Sequence, residues 1–232
     1  FFLKYLIFHN LLITILVMAK SIEQMSYVEF MAYLKETNRP PGGKKMLRFL
    51  AQNTFLSSQS KVLHIGCNTG SSTMEIIRLT KCRAVGIDVS SSMIDGAKKI
   101  NARDLYFKNV SFQVADVQRL PYKDSAFDLI FSAGSMAFVA NPDKAVLEEI
   151  RVAMSWGFIA DIVMYYEKKP PRQIIEKMNK LMGINIKSWN LDYWKSLYME
   201  KGLENFFEYR EKMEYGSMED IKKYCKSMTA PI

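Results

Sequence analysis

The residues best placed to do chemistry lie in Lys61–Thr80, KVLHIGCNTGSSTMEIIRLT. An apolar run, Val62-Leu63-His64-Ile65, feeds the tight turn Gly66-Cys67-Asn68-Thr69-Gly70, and Ser71–Ile77 reads as the opening of a helix. A strand, a glycine turn and a helix N-terminus together form a cradle of backbone N–H groups at the carboxyl end of the strand, which is a place to bind a ligand. Ser72 with Glu75 has the form of a capping box, and Ile76, Ile77 and Leu79 supply an apolar face. A second short apolar segment, Arg83–Asp88, ends in an acid 22 positions after Gly66. At that spacing a carboxylate reaches ribose hydroxyls and accepts hydrogen bonds from both at once. The glycine spacing excludes two common cradles. A dinucleotide fingerprint needs G-x-G-x-x-G, and a P-loop needs a Lys after its last glycine; neither is present.

The segment resembles motif I of the class I S-adenosylmethionine (SAM) methyltransferases, V-L-D-[IV]-G-C-G-T-G. It departs from it at His64, where the family carries Asp or Glu, and at Asn68, where it carries Gly. Asn tolerates left-handed backbone, so the second change is mild. Gly86-Ile87-Asp88-Val89-Ser90-Ser91-Ser92-Met93-Ile94 resembles motif II, G-[IV]-D-x-S-x-x-M-[IL]. Ala115-Asp116-Val117 follows a strand-like Val110–Val114 and sits where the family acid holds the adenine amino group. Leu120-Pro121-Tyr122 and Asp124–Ser132 resemble the L-P-[FY]-x-D-x-[ST]-F-D-x-[IV] stretch of the ubiquinone/menaquinone-type group of small-molecule methyltransferases. The resemblance implies SAM as methyl donor, released as S-adenosylhomocysteine (SAH). It implies contacts from His64, Gly66, Cys67, Asn68, Gly70, Asp88, Val89, Met93, Ala115, Asp116, Val117, Phe131 and Ser132. The family carboxylate at the His64 position helps hold the cationic end of SAM. A neutral imidazole would hydrogen-bond in its place and an imidazolium would repel, so donor affinity is expected to weaken as pH falls through the His64 pKa.

The elements that must position these groups alternate β and α from Ser58 to about Met164, implying a Rossmann-like α/β sandwich with a mainly parallel sheet. A helical cap is expected over residues 18–57, broken at Asn38-Arg39-Pro40-Pro41-Gly42-Gly43 and resuming at Lys44–Phe55. Helix Pro142–Met154 should carry Ala145, Val146, Leu147 and Ile150 inward. Arg151–Phe158 stands where the family has R-V-L-K-P-G-G-x and keeps only the last glycine; Phe158–Met164 reads as the fifth strand. Residues 165–232 read as a second cap: helices Arg172–Met182, from Leu191, and Ser217–Ser227, with Glu204–Met213 as a sixth strand. No strand-like run follows Ser227 where the family has its seventh strand, so either the chain is truncated or its sheet is incomplete, and an exposed sheet edge would favour aggregation or dimer pairing. Residues 1–17 are apolar; an anchor, a signal peptide and untranslated sequence upstream of Met18 compete as readings.

Composition narrows the partners. The chain has 232 residues, 49% hydrophobic and 24% charged, with a net charge of +8 spread along its length. A solvated basic surface accounts for that charge, with RNA as the less favoured partner. Cys67, Cys82 and Cys225 form no C-x-x-C pair and His9 and His64 are the only histidines, so no metal site is expected and a reducing cytoplasm fits. The fourth strand lacks the [DN]-P-P-[FY] loop of base-amino methyltransferases, which points away from methylation of nucleic-acid bases. The expectation is methyl transfer to a small molecule, a quinone or lipid precursor being one candidate, with Tyr27, Ser132, Ser135 and Trp194 on the acceptor side and no catalytic residue marked out. An RNA or protein methyltransferase and a non-catalytic SAM-binding protein are the alternatives.

Overall fold

The computed structural model describes residues 40–182, 184–212, 217 and 219. The apolar stretch 1–17, the first cap helix with Tyr27, and the expected helix Ser217–Ser227 lie outside these residues or nearly so. The described elements are α1 (Gly43–Asn53), β1 (Lys61–Ile65), α2 (Ser71–Thr80), β2 (Arg83–Asp88), α3 (Ser91–Asn101), β3 (Val110–Val114), β4 (Phe127–Ala133), α4 (Pro142–Val152), β5 (Ala153–Ile162), α5 (Arg172–Met182) and α6 (Leu191–Met199). Five parallel strands run in the order β3-β2-β1-β4-β5. The order reverses between β1 and β4. A crevice therefore opens over the carboxyl ends of those two strands, which is where open α/β sheets take ligands.

The strands of a sheet covered on both faces read as continuous apolar runs, and the core divides accordingly. On one face Val62, Ala84, Leu129 and Phe131 pack against Leu47 and Leu50 of α1, Ile76 and Ile77 of α2 and Ala97 of α3. On the other, Leu63, Ile65, Ile87 and Ile130 pack against Ala145, Val146 and Val152 of α4 and Trp194 and Leu197 of α6. The result is the expected α/β three-layer sandwich.

Several local expectations are corrected. Gly70, in the left-handed region at φ 83°, is the N-cap of α2 without a side-chain bond, so Ser72 and Glu75 form no capping box. Ile76 and Ile77 are buried but Leu79 is exposed. On α4 the inward stripe is Ala145, Val146, Glu149 and Val152, and Leu147 faces out at 56% exposure. The i, i+3/i+4 spacing of that stripe selects Glu149 over the more apolar Leu147 because α4 lies on the sheet through Val146 and Val152. The described part of the expected sixth strand, 204–212, forms no strand. Its adjacent rings Phe206 and Phe207 pack instead on Phe158 and Phe49, at 5.3 and 5.5 Å between centroids. Among the described residues nothing pairs with the outer edge of β5.

The lost Pro-Gly pair leaves a bulge. Ala153 pairs with Phe127 and Phe158 with Leu129, so residues 154–157 stand opposite Asp128 alone. Gly157 is needed there, since a Cβ would lie 2.9 Å from the Met154 carbonyl and 3.1 Å from that of Asp128. Trp156 occupies the left-handed region (φ 64°) and is 98% exposed. A bulky residue in that conformation costs about 1–2 kcal/mol. Trp156→Gly is therefore expected to raise unfolding stability by about 0.5–1 kcal/mol after glycine's larger unfolded-state entropy is subtracted. Urea denaturation would read the gain.

Candidate functional site

The turn after β1 is held from three sides. Cys67 donates its N–H to the Ile87 carbonyl (2.8 Å), tying the turn to β2. Asn68 takes the left-handed conformation at φ 49°, and its Oδ1 accepts from the Thr69 N–H at 2.6 Å. Gly66 (φ 66°) sits beneath Ser135, whose Oγ donates to the Ile65 carbonyl at 2.8 Å. The loop after β4 is thus pinned to the end of β1, and Ser135 serves as a clasp. Gly70 is equally constrained, because a Cβ there would meet the Phe112 ring at 2.5 Å. The glycines that make the cradle also let β3 and β4 close around it.

Asp88 completes the cradle. Its Oδ2 accepts from the Asn68 N–H and its Oδ1 from the Ser90 N–H, both at 3.0 Å. Burial raises its pKa, and these two N–H groups oppose the rise. Each carboxylate oxygen has a second lone pair, so both can also accept from a pair of hydroxyls. Val89 is 69% exposed beside it and Ala115 is partly exposed, its N–H donating to the Asp88 carbonyl at 3.1 Å. Asp116 is exposed and accepts from the Gln118 backbone N–H (2.8 Å) and from its side-chain amide. Asp88 thus offers acceptors for hydroxyl groups, Val89 and Ala115 an apolar surface, and Asp116 an exposed acceptor for an amino group.

Other expected residues turn inward. The side chains of Cys67, Met93, Val117 and Phe131 are buried, and burial pushes the Cys67 thiol well up. They shape the site through packing. Trp194 is likewise buried in the layer between α6 and the sheet. Tyr27 lies outside the described residues.

His64 is 2% exposed, stacked on Phe131 with ring centroids 4.1 Å apart, and its Nδ1 lies 2.7 Å from Thr73 Oγ1. Its Nε2 is buried with no hydrogen-bond partner among the described residues. Burial lowers its pKa to about 3. The expected weakening of donor binding on acidification through pH 6.5 is therefore corrected: the ring is neutral at every pH where the protein would be assayed. A neutral ring also removes the objection to a cationic ligand nearby.

A polar cluster that sequence reasoning missed lies across the crevice. Ser132 Oγ donates to Asp161 Oδ1 of β5, so this expected donor contact is turned toward β5. Tyr198 OH of α6 donates to Asp161 Oδ2 at 2.9 Å. Glu149 of α4 is 1% exposed, with its Oε2 unpartnered among the described residues. Burial pushes Asp161 up to about 6 and Glu149 well above the usual carboxylate range. The available signal was an acid inside the apolar run Phe158–Met164. Beyond the end of β5, a cleft of about 350 Å³ is lined by Tyr166, Glu167, Lys169, Ser188, Trp189, Asn190 and Tyr193.

The sequence profile of a family described as a methyltransferase domain matches residues 56–223, most of the chain. The chain belongs to the methyltransferase-domain family. An uncharacterized protein of Haemophilus influenzae is 28% identical over 76% of this chain and 71% of its own. Methyltransferase GfsG of Streptomyces halstedii is 32% identical over 53% of this chain and 45% of its own. Ajmaline N-methyltransferase of Rauvolfia serpentina is 26% identical over 55% and 46%. This methyltransferase domain thus spans about half the length of those two named relatives. Among solved structures, MccD protein superposes with a TM-score of 0.66 at 25% identity, covering 70% of this chain and 72% of its own. Haemonchus contortus phosphoethanolamine N-methyltransferase 2, solved with SAM, superposes at 0.65 and 16% identity over 77% and 44%, a likeness of fold. Among the described residues of the domain no helix is long and apolar enough to cross a membrane.

Proposed function

We propose that this protein transfers the methyl group of SAM to a small-molecule acceptor. The observation that carries the reading is the Asp88 carboxylate, which clamps the Asn68 and Ser90 N–H groups at the mouth of the Gly66–Gly70 turn while keeping acceptor capacity for two hydroxyls. With the ribose at Asp88 and the adenine toward Ala115 and Asp116, the adenosyl group lies over β1, β2 and β3. The sulfonium end then points toward β4, at the reversal of strand order. The activated methyl moves by in-line displacement, so the chain's contribution is alignment and exclusion of water. The named methyltransferase relatives, an alkaloid N-methyltransferase among them, support a small-molecule acceptor. The Leu120–Ser132 stretch supports the ubiquinone/menaquinone-type group within the class. An RNA acceptor rests on the +8 charge alone.

Calorimetric titration tests the donor site. SAM and SAH are expected to bind the wild type with micromolar affinity, equal at pH 5.5 and 8 because His64 stays neutral. Asp88→Ala is expected to raise Kd at least about tenfold, the loss of one charge-assisted hydrogen bond. Unchanged affinity in that variant would remove the ground for the reading.

A further inference from the structure

We propose that Asp161, oriented by Ser132 and Tyr198, takes the proton from an O–H or N–H methyl acceptor. The inference rests on the donor reading above and adds the other half of the site to it.

Position is the first argument. Ile65 pairs with Ser132 and Ser132 with Asp161, so the three stand abreast on β1, β4 and β5. Two inter-strand steps of about 4.8 Å place the Asp161 backbone about 10 Å from the strand end that opens into the Gly66 turn. A small molecule seated over β4 would span that distance between a methyl donor over β1 and the Asp161 carboxylate.

The second argument is the way the carboxylate is held. Ser132 Oγ takes one oxygen and Tyr198 OH the other, and both partners are donors. Two hydroxyl donors fix the plane of the carboxylate and leave lone pairs free. The groups facing Asp161 are Ser132 from β4, Glu149 from α4 and Tyr198 from α6, with Tyr193 beyond it. Among the described residues no Lys, Arg or His acts on it, and none of them pairs its charge as a structural salt bridge would. Glu149 is held neutral by full burial, while the Asp161 carboxylate, on a half-buried residue, is enclosed by Ser132 and Tyr198. A carboxylate at about 6 is ionised at neutral pH and sits close enough to working pH to serve as a general base.

The step balances. The acceptor heteroatom uses its lone pair to form the new bond to the methyl carbon. The C–S bond breaks with its electron pair staying on sulfur, giving neutral SAH. The heteroatom's proton passes to the Asp161 carboxylate and is released to water once the product has left the site.

The test uses the full chain, tritium-labelled SAM and a low-molecular-weight extract of the native host as acceptor pool, with SAH titration alongside. Asp161→Asn is expected to bind SAH within about twofold of wild type and to transfer label about a hundredfold more slowly. The wild-type rate should fall below about pH 6, and the variant should lose that acid limb. Tyr198→Phe should shift the limb without abolishing transfer. Transfer by Asp161→Asn within about threefold of wild type, with the acid limb intact, overturns the proposal. Wild type that binds no SAH overturns the donor reading itself, and this inference with it. If wild type binds SAH yet labels nothing, carbodiimide coupling of glycine methyl ester decides. Modification of Asp161 but not Glu149 supports an acceptor-side carboxylate open to small molecules; an unmodified Asp161 overturns the proposal and leaves the donor site standing.

Discussion

Gly66→Ala is expected to cost about 2–5 kcal/mol of unfolding stability and to abolish measurable SAH binding. Two effects add. The residue sits at φ 66°, where a Cβ is strained against the backbone by about 1–2 kcal/mol. The new methyl would also lie 2.6 Å from Ser135 Oγ and nearer still to its Cβ, with the Ser135 backbone close behind. Ser135 cannot rotate away without giving up its bond to the Ile65 carbonyl, so the whole β4 loop would have to lift from the end of β1. Overpacking of that kind costs a further 1–3 kcal/mol or so. Urea unfolding reads the stability and calorimetry the binding. Gly134→Ala is the control, since it shares the positive φ (91°) but has nothing within 4 Å of the added atom. A loss equal to the control's would show that crowding by Ser135 contributes nothing.

The second large effect is a pair of opposed pH dependences. His64 falls from 6.5 in the unfolded chain to about 3 in the fold. Its contribution is complete above pH 6.5 and is lost as pH drops toward 3, an amount of about 5 kcal/mol over the full range. Asp161 moves the other way, from 3.8 to about 6. Its contribution is present below pH 3.8 and is lost as pH rises through 6, an amount of about 3 kcal/mol. Between pH 3.8 and 6 the two slopes cancel, and wild type should show little acid dependence from this pair. The variants should separate them. Asp161→Asn leaves the His64 slope, so its stability relative to wild type is greatest near pH 7 and shrinks by about 2 kcal/mol or more on going to pH 4.5. His64→Phe leaves the carboxyl slope and should gain relative to wild type as pH falls, even though it strands the Thr73 hydroxyl. Urea midpoints at pH 4.5, 5.5 and 7 measure both. Parallel profiles for the two variants would show that neither group titrates as its burial demands.

Much of the donor half was legible because it is local. Gly66, Asn68, Gly70 and Asp88 do their work through backbone conformation and a spacing of 22 residues, and strand, turn and helix signals are themselves short-range. The order of motifs then determined the α/β class. The charge state of His64 was not legible, because it depends on Phe131 and Thr73 closing over the ring from β4 and α2. Nor was the inward face of α4. Leu147 and Glu149 differ by two positions, and which of them faces the core depends on how the helix lies on the sheet. The polar cluster around Asp161 belongs to tertiary structure altogether. Ser132, Glu149, Asp161 and Tyr198 come from four separate elements, and no spacing relates them. By itself the sequence determined a glycine turn at the end of β1 with an acid from β2 beside it. Only the packing of α4 and α6 on β4 and β5 set a desolvated carboxylate two strands away from it, because desolvation is a property of neighbours brought together in space.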